Sequence, residues 1–383
     1  MRRAASFAAA AAVMVATPAR GQDRTAEIDR IFSFATAATP GCAVGVGQRG
    51  KPAIVRAYGL ADVDRKVPLS AASRFDIGST QKQFTAAAVL LLVEDGRIAL
   101  SDDIHKYLPE LPDYGHPVTV DNLLTHTSGV RDWTGMLPMA PEGTDVNTLI
   151  LRQRGLNFVP GTEWSYSTSG FELAKTIVAR VSGMSFAEFT RRRLFEPLGM
   201  TGSAYVPDIL QAGPDAALGY QKDGDAWKPF MRLGTNRGGG AIVSTIPDLL
   251  TWNDALTTGR LGKFVSSKIQ EPVRLANGRK LRYAALRGLD DKNVARAVDG
   301  NARRTVQSGC QCLWRATAGR NLEQTAAVQI VADENISSSV HQDVTRFAES
   351  RDGQSRLHSR SERNRRALVD APEIRSRENI LRI

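Results

Sequence analysis

Apolar positions recur at helical spacing in residues 25–38, where Ile28, Ile31, Phe32 and Ala35 share one face and predict an amphipathic helix. The next stretch, CAVGVGQRGKPAIVRAYG, sets two short runs rich in Val, Ile and Tyr on either side of Arg49-Gly50-Lys51, the pattern of a β-hairpin. A longer apolar helix is predicted after Ser79, with Phe84, Ala87, Ala88, Leu91 and Leu92 on one side; it runs to about Asp95, and Gly96 is its stop. Residues 101–225 mix short helical pieces with Pro and Gly, hold one well-marked helix near 171–181, and read as a mostly helical insertion between sheet segments. In NRGGGAIVSTIPDLLTWNDAL a glycine run precedes a short strand and then a helix that starts at Pro247 behind the cap Thr245.

With 383 residues the chain can bury a large core, as one compound domain or two intimately packed ones, and 42% hydrophobic residues exclude disorder of the whole. Residues 1–21 join a basic start (Arg2, Arg3) to an apolar run and small residues at Ala19 and Gly21, the layout of a secretory signal, so the mature chain is expected in the periplasm or outside the cell. Beyond it no run of about 18 apolar residues predicts a membrane span. The three cysteines, Cys42, Cys310 and Cys312, fit neither a zinc pattern nor a disulfide framework, and no metal is implied. The net charge of +10 sits mainly after Gln270, where 21 Lys and Arg face 14 Asp and Glu. Segments there such as SRDGQSRLHSRSERNRR have no helix or strand period and no interleaved aromatic residues, so a solvated end is preferred and no nucleic-acid partner is expected.

The candidate chemistry begins at Ser79. A serine hydroxyl needs a base within reach, and Lys82, three residues on, lies on the same face of a helix. A serine before a helix is ordinarily an N-cap, but a lysine in the first turn opposes the helix dipole, so capping does not account for Lys82. In PGTEWSYSTSGFELA, Tyr166 stands on a loop before an apolar helix and is a candidate proton shuttle; in isolation it reads rather as a residue packing the loop against the core. Thr168, two residues on, points to the same side if the loop is extended. His126 in DNLLTHTSGVRDW invites a serine–histidine reading, but its turn-forming neighbours assign it to the turn.

With FDIGSTQK, LLTHTSG, PGTEWSYSTSG and GGGAIVSTIPDLLTW in this order, residues 28–256 resemble the serine β-lactamase and penicillin-binding-protein superfamily, closest to the branch of class C β-lactamases, D-alanyl-D-alanine carboxypeptidases and related esterases. The resemblance implies an α+β fold, an antiparallel sheet flanked by helices with an inserted helical region. By position it implies Ser79 as acylated nucleophile, Lys82 as base and Tyr166 as proton shuttle, with Thr168 at a substrate-binding place where the family commonly has Asn. Threonine lacks the two-sided reach of an amide, which bears on recognition of an amide side chain. No cofactor is implied. The expected partner is a small-molecule or peptidoglycan-peptide substrate, and a monomer is expected.

The family's late strand, which bears a Lys- or His-x-Gly element and the second oxyanion donor, has no counterpart in residues 271–383, so the C-terminal part reads as incomplete or aberrant. The alternative is therefore a non-catalytic member that binds cell-wall peptide. A divergent end and a reading-frame change near Tyr283 both account for the Arg, Ala, Ser and Gly surplus, and the abrupt end of the motif resemblance favours the second. Translation of the gene downstream of Tyr283 in all frames is expected to reveal a Lys- or His-x-Gly strand; its absence from both shifted frames removes the frame-change account.

Overall fold

The computed structural model describes residues 21–48, 51–207, 211–229, 239–280, 313–317 and 325–331. Most of the residues read as a leader, the Arg-rich stretch, and Cys310 and Cys312 lie outside these. Helix α1 (Gly21–Ile31) leads to the antiparallel hairpin of β1 (Cys42–Gln48) and β2 (Lys51–Tyr58). Its apolar face, Ile28 and Ile31 with the following Phe32, is buried against Cys42, Val44 and Val46. The helix ends at Ile31, short of Ala38, and beyond it the Thr36 and Thr39 hydroxyls accept the Ala38 and Thr36 N–H groups, local bonds of a turn in place of helical ones.

Two short strands, β3 (Leu60–Asp62) and β4 (Val67–Pro68), precede β5 (Arg74–Asp76) and helix α2 (Gln81–Glu94). The helical middle comprises α3 (Val120–Leu124), α4 (Val146–Leu151), α5 (Thr168–Ser182), α6 (Phe186–Thr190) and α7 (Glu196–Leu198). It gives way to β6 (Ala204–Val206), β7 (Ala216–Ala217) and the hairpin β8 (Tyr220–Asp223) and β9 (Ala226–Pro229). So the mostly helical expectation holds only to about Gly199; the Gly224-Asp225 turn, with Gly224 at φ 62°, supplies the hairpin geometry instead. Strand β10 (Ala241–Ser244) and helices α8 (Ile246–Thr258) and α9 (Lys263–Ile269) follow, Thr245 capping α8 through Asp248 N–H at 3.3 Å as its sequence predicts.

The chain after Gln270, expected to lack regular structure, supplies two strands to the sheet, β11 (Leu313–Thr317) and β12 (Thr325–Val331). They complete an antiparallel sheet of order β11-β12-β1-β2, with Cys42 opposite Val331. The packed body also continues past Gln270, since Val273 and Leu275 are buried and the Ala276 N–H is donated to Gly161 O at 2.9 Å. The second sheet, β6-β10-β5-β7, pairs β10 antiparallel to β5. Among the described residues no helix is long and apolar enough to cross a membrane.

Helix α2 runs through the main apolar core. Phe84 and residues 85–92 are all buried, so it is apolar on nearly every side and packs against α5 and α9, where an amphipathic surface helix would keep a polar face. Phe84 stacks on Trp252 of α8 at 4.1 Å between ring centroids and meets Phe195 at 5.6 Å. Replacing Phe84 by Ala is expected to cost about 3–5 kcal/mol in urea denaturation; a cost below about 1 kcal/mol would mean that the α2–α8 contact does not hold the core.

Candidate active site

Three segments converge on Ser79. Strand β5 pairs with β10 (Val243 opposite Asp76), and the next residue, Ile77, donates its N–H to Ile242 O at 3.2 Å. Gly78, at φ 52°, then turns the chain through a single 3-10 turn into α2, a backbone conformation that an L side chain resists. From the first turn of α2 the buried Gln81 side chain accepts the Ile242 N–H at 3.2 Å, so both sides of the Ser79 turn are tied to the same strand residue.

Ser79 does not cap its helix. Its Oγ lies 2.5 Å from Tyr166 Oη, either atom being able to donate, and accepts from Lys82 Nζ at 3.3 Å. Ser79 is exposed while Lys82 is only 3% exposed, its Nζ 4.8 Å from the Tyr166 ring centroid and 5.7 Å from that of Phe171. The serine hydroxyl therefore has two side-chain groups within hydrogen-bond reach, and Ser79 is exposed to solvent, where a substrate can approach.

Tyr166 is held by the turn that contains His126. Gly161 N–H is donated to Thr127 O at 2.8 Å, Ser165 N–H to His126 O at 3.0 Å, and Ser167 N–H to His126 Nδ1 at 3.1 Å. Ser167 Oγ in turn donates to Val130 O at 3.0 Å. His126 is at φ 57°, a conformation uncommon for a side-chain-bearing residue, and its ring stacks on Tyr166 at 4.6 Å and 30°. The turn reading of His126 agrees with these bonds; its stacking under the phenol was not read from the sequence, and the one signal for it is a histidine amid turn formers. Burial, then the nearby Lys82 charge, push the His126 pKa down to about 3. The imidazole is therefore neutral, and because Nδ1 accepts from Ser167 its proton resides on Nε2.

Thr168 is placed differently from Tyr166. Ser167 is the N-cap and Thr168 the first residue of α5, so the extended path ends between them. The Thr168 N–H is donated to Asp132 Oδ2 at 2.6 Å, and Asp132 Oδ1 accepts the Thr134 N–H at 2.9 Å. Asp132 thus joins the 3-10 turn of Trp133–Met139 to the start of α5, a link no sequence motif announced. Among the described residues no cluster of three or more His, Cys, Asp or Glu gathers to hold a metal ion.

A family model described as Beta-lactamase matches residues 28–309, beyond the end of the four motifs. The chain belongs to the β-lactamase family. Penicillin-binding protein 4* of Bacillus subtilis (strain 168) is 30% identical to this β-lactamase-family chain over 253 residues, 59% of this chain and 54% of that protein. The chain spans about half the length of the curated relatives it matches. In fold it is similar to the D-alanine carboxypeptidase AmpC from Burkholderia cenocepacia, with TM-score 0.64, 24% identity, and 86% of this chain and 100% of that one covered. A hydrolase with promiscuous acyltransferase activity, EstCE1, aligns with TM-score 0.64 and 17% identity over 86% of this chain and 99% of that one.

The neutral His126 has a consequence for stability. Below pH 6.5 an unfolded histidine binds a proton that the folded one refuses until about pH 3, so stability is complete above that window and falls as the pH drops through it. The slope approaches about 1.4 kcal/mol per pH unit. His126→Asn tolerates the left-handed backbone and keeps an acceptor for Ser167; urea midpoints measured from pH 7 to 4 are expected to fall less steeply in the variant than in the parent, and equal slopes would contradict a neutral buried His126.

Proposed function

We propose that this chain is an exported serine hydrolase that cleaves an ester or amide through an acyl-enzyme. The observation that carries this reading is the Ser79 Oγ placed 2.5 Å from Tyr166 Oη and 3.3 Å from Lys82 Nζ on an exposed turn. Ser79 attacks the acyl carbon as Lys82 Nζ takes its proton; Tyr166 gives its own proton to the leaving group and is reprotonated from Lys82; water then attacks the acyl-enzyme, its proton passing back through the same groups to Ser79 Oγ as the acid is released. The Ser79 N–H is one oxyanion donor, and a donor of this kind contributes about 3–4 kcal/mol to the rate. The names of similar proteins, a penicillin-binding protein, a D-alanine carboxypeptidase and a D-amino acid amidase, support acyl transfer at peptide-like or small substrates. β-Lactams, D-Ala-D-Ala peptides and small esters all fit a serine–lysine–tyrosine site, and Thr168 in place of an amide favours substrates whose recognition does not depend on an amide side chain.

The folded protein is to be treated with a fluorescent penicillin and, separately, with a fluorophosphonate, and the adduct located by mass spectrometry. An adduct on Ser79 is expected, absent in Ser79→Ala and formed about 10²- to 10⁴-fold more slowly in Lys82→Met and Tyr166→Phe. Folded protein that gives no Ser79 adduct with either reagent is a non-catalytic member of the family.

A further inference from the structure

Helix α5 buries an ion pair that the proposed reaction does not use. Glu172 and Lys175, one turn apart on the same face, are 8% and 7% exposed and meet at 2.6 Å. Withdrawing two charges from water is costly, and a well-packed apolar pair is often no less stable, so stability alone is a weak reason for this pair. Lys175 Nζ has three donors, and the two not spent on Glu172 point at another segment: Gly239 O at 2.8 Å and Tyr205 Oη at 3.5 Å. Tyr205 Oη itself donates to Gly239 O at 3.4 Å, so that one carbonyl receives two donors.

The clamped carbonyl opens the chain into β10. Gly240, at φ 47°, passes so close to Tyr205 that an added Cβ would stand 2.0 Å from its Oη. Two residues later Ile242 makes the bonds that flank the nucleophile turn, to Ile77 N–H and to Gln81 Oε1. Helix α5 begins two residues after Tyr166 and carries Phe171 over Lys82. Lys175 therefore ties the element that follows Tyr166 to the strand that holds Ser79.

We propose that Glu172 and Lys175 are positioning residues that lock α5 to the entry of β10 and thereby set the Ser79 Oγ to Tyr166 Oη separation. The catalytic consequence rests on the function proposed above; the mechanical link does not. In the double variant Glu172→Gln/Lys175→Met no unpaired charge is left in the core, and a urea midpoint close to the parent's is expected. Hydrogen exchange should nonetheless rise in peptides carrying Ile77 and Ile242, but not in those from the middle of α2, and fluorophosphonate labelling of Ser79 should slow about ten- to a hundredfold. Tyr205→Phe, which removes the second donor to Gly239 and the weakest acceptor of Lys175 but keeps the Lys175–Glu172 and Lys175–Gly239 contacts, is expected to shift both readouts in the same direction by less, and it decides the matter if the double variant does not fold. Unchanged exchange at Ile77 and Ile242, or unchanged labelling in a folded variant, overturns the proposal. If the parent itself gives no Ser79 adduct, the hydrolase reading fails while the exchange measurement still decides the clamp.

Discussion

A lysine head group held out of water beside a serine hydroxyl is the constraint around which the site is arranged. Lys82, 3% exposed, can be accommodated only if its surroundings replace the lost hydration, and Ser79 Oγ together with the faces of Tyr166 and Phe171 does so. That arrangement fixes the rest. The loop bearing Tyr166 must be held in place, and the bonds from Gly161, Ser165 and Ser167 to the His126 turn hold it. The histidine beneath the phenol remains uncharged, first because it is buried and then because Lys82 stands nearby. Helix α2 in turn must be apolar on nearly all sides, because the residues after Lys82 run straight into the core.

That Ser79, Lys82 and Tyr166 would meet was legible through the four ordered motifs, since a serine and lysine three apart at a helix start and a tyrosine on a loop read, taken alone, as a cap and a packing residue. The fold elements read from periodicity, the β1–β2 hairpin, α2 and its stop, α5, and α8 behind Thr245, stand because their cues are local. What escaped depends on meetings between distant segments. His126 lies 40 positions from Tyr166 and reveals its stacking only once the two loops are laid together. Glu172 and Lys175 have the spacing of an ordinary surface pair, and only the return of the chain at Gly239 shows them buried. Thr168 was expected beside Tyr166 on an extended loop, but Ser167 caps the helix one residue earlier and turns it toward Asp132. The run TAAVQIV, short and apolar, was masked by the arginine-rich composition around it, although it forms β12.

Strand β1 lies between β2, its immediate neighbour in the chain, and β12, which arrives almost three hundred residues later with Val331 opposite Cys42. A sheet assembled this way has high contact order: one side of β1 can be paired as soon as the hairpin is made, while the other waits for a strand almost three hundred residues on. Until then a row of unpaired backbone groups on β1 is open to the strands of other molecules. The sheet that contains β1 is thus open to misassembly while the chain folds, and its hazard is one of folding order rather than of final stability.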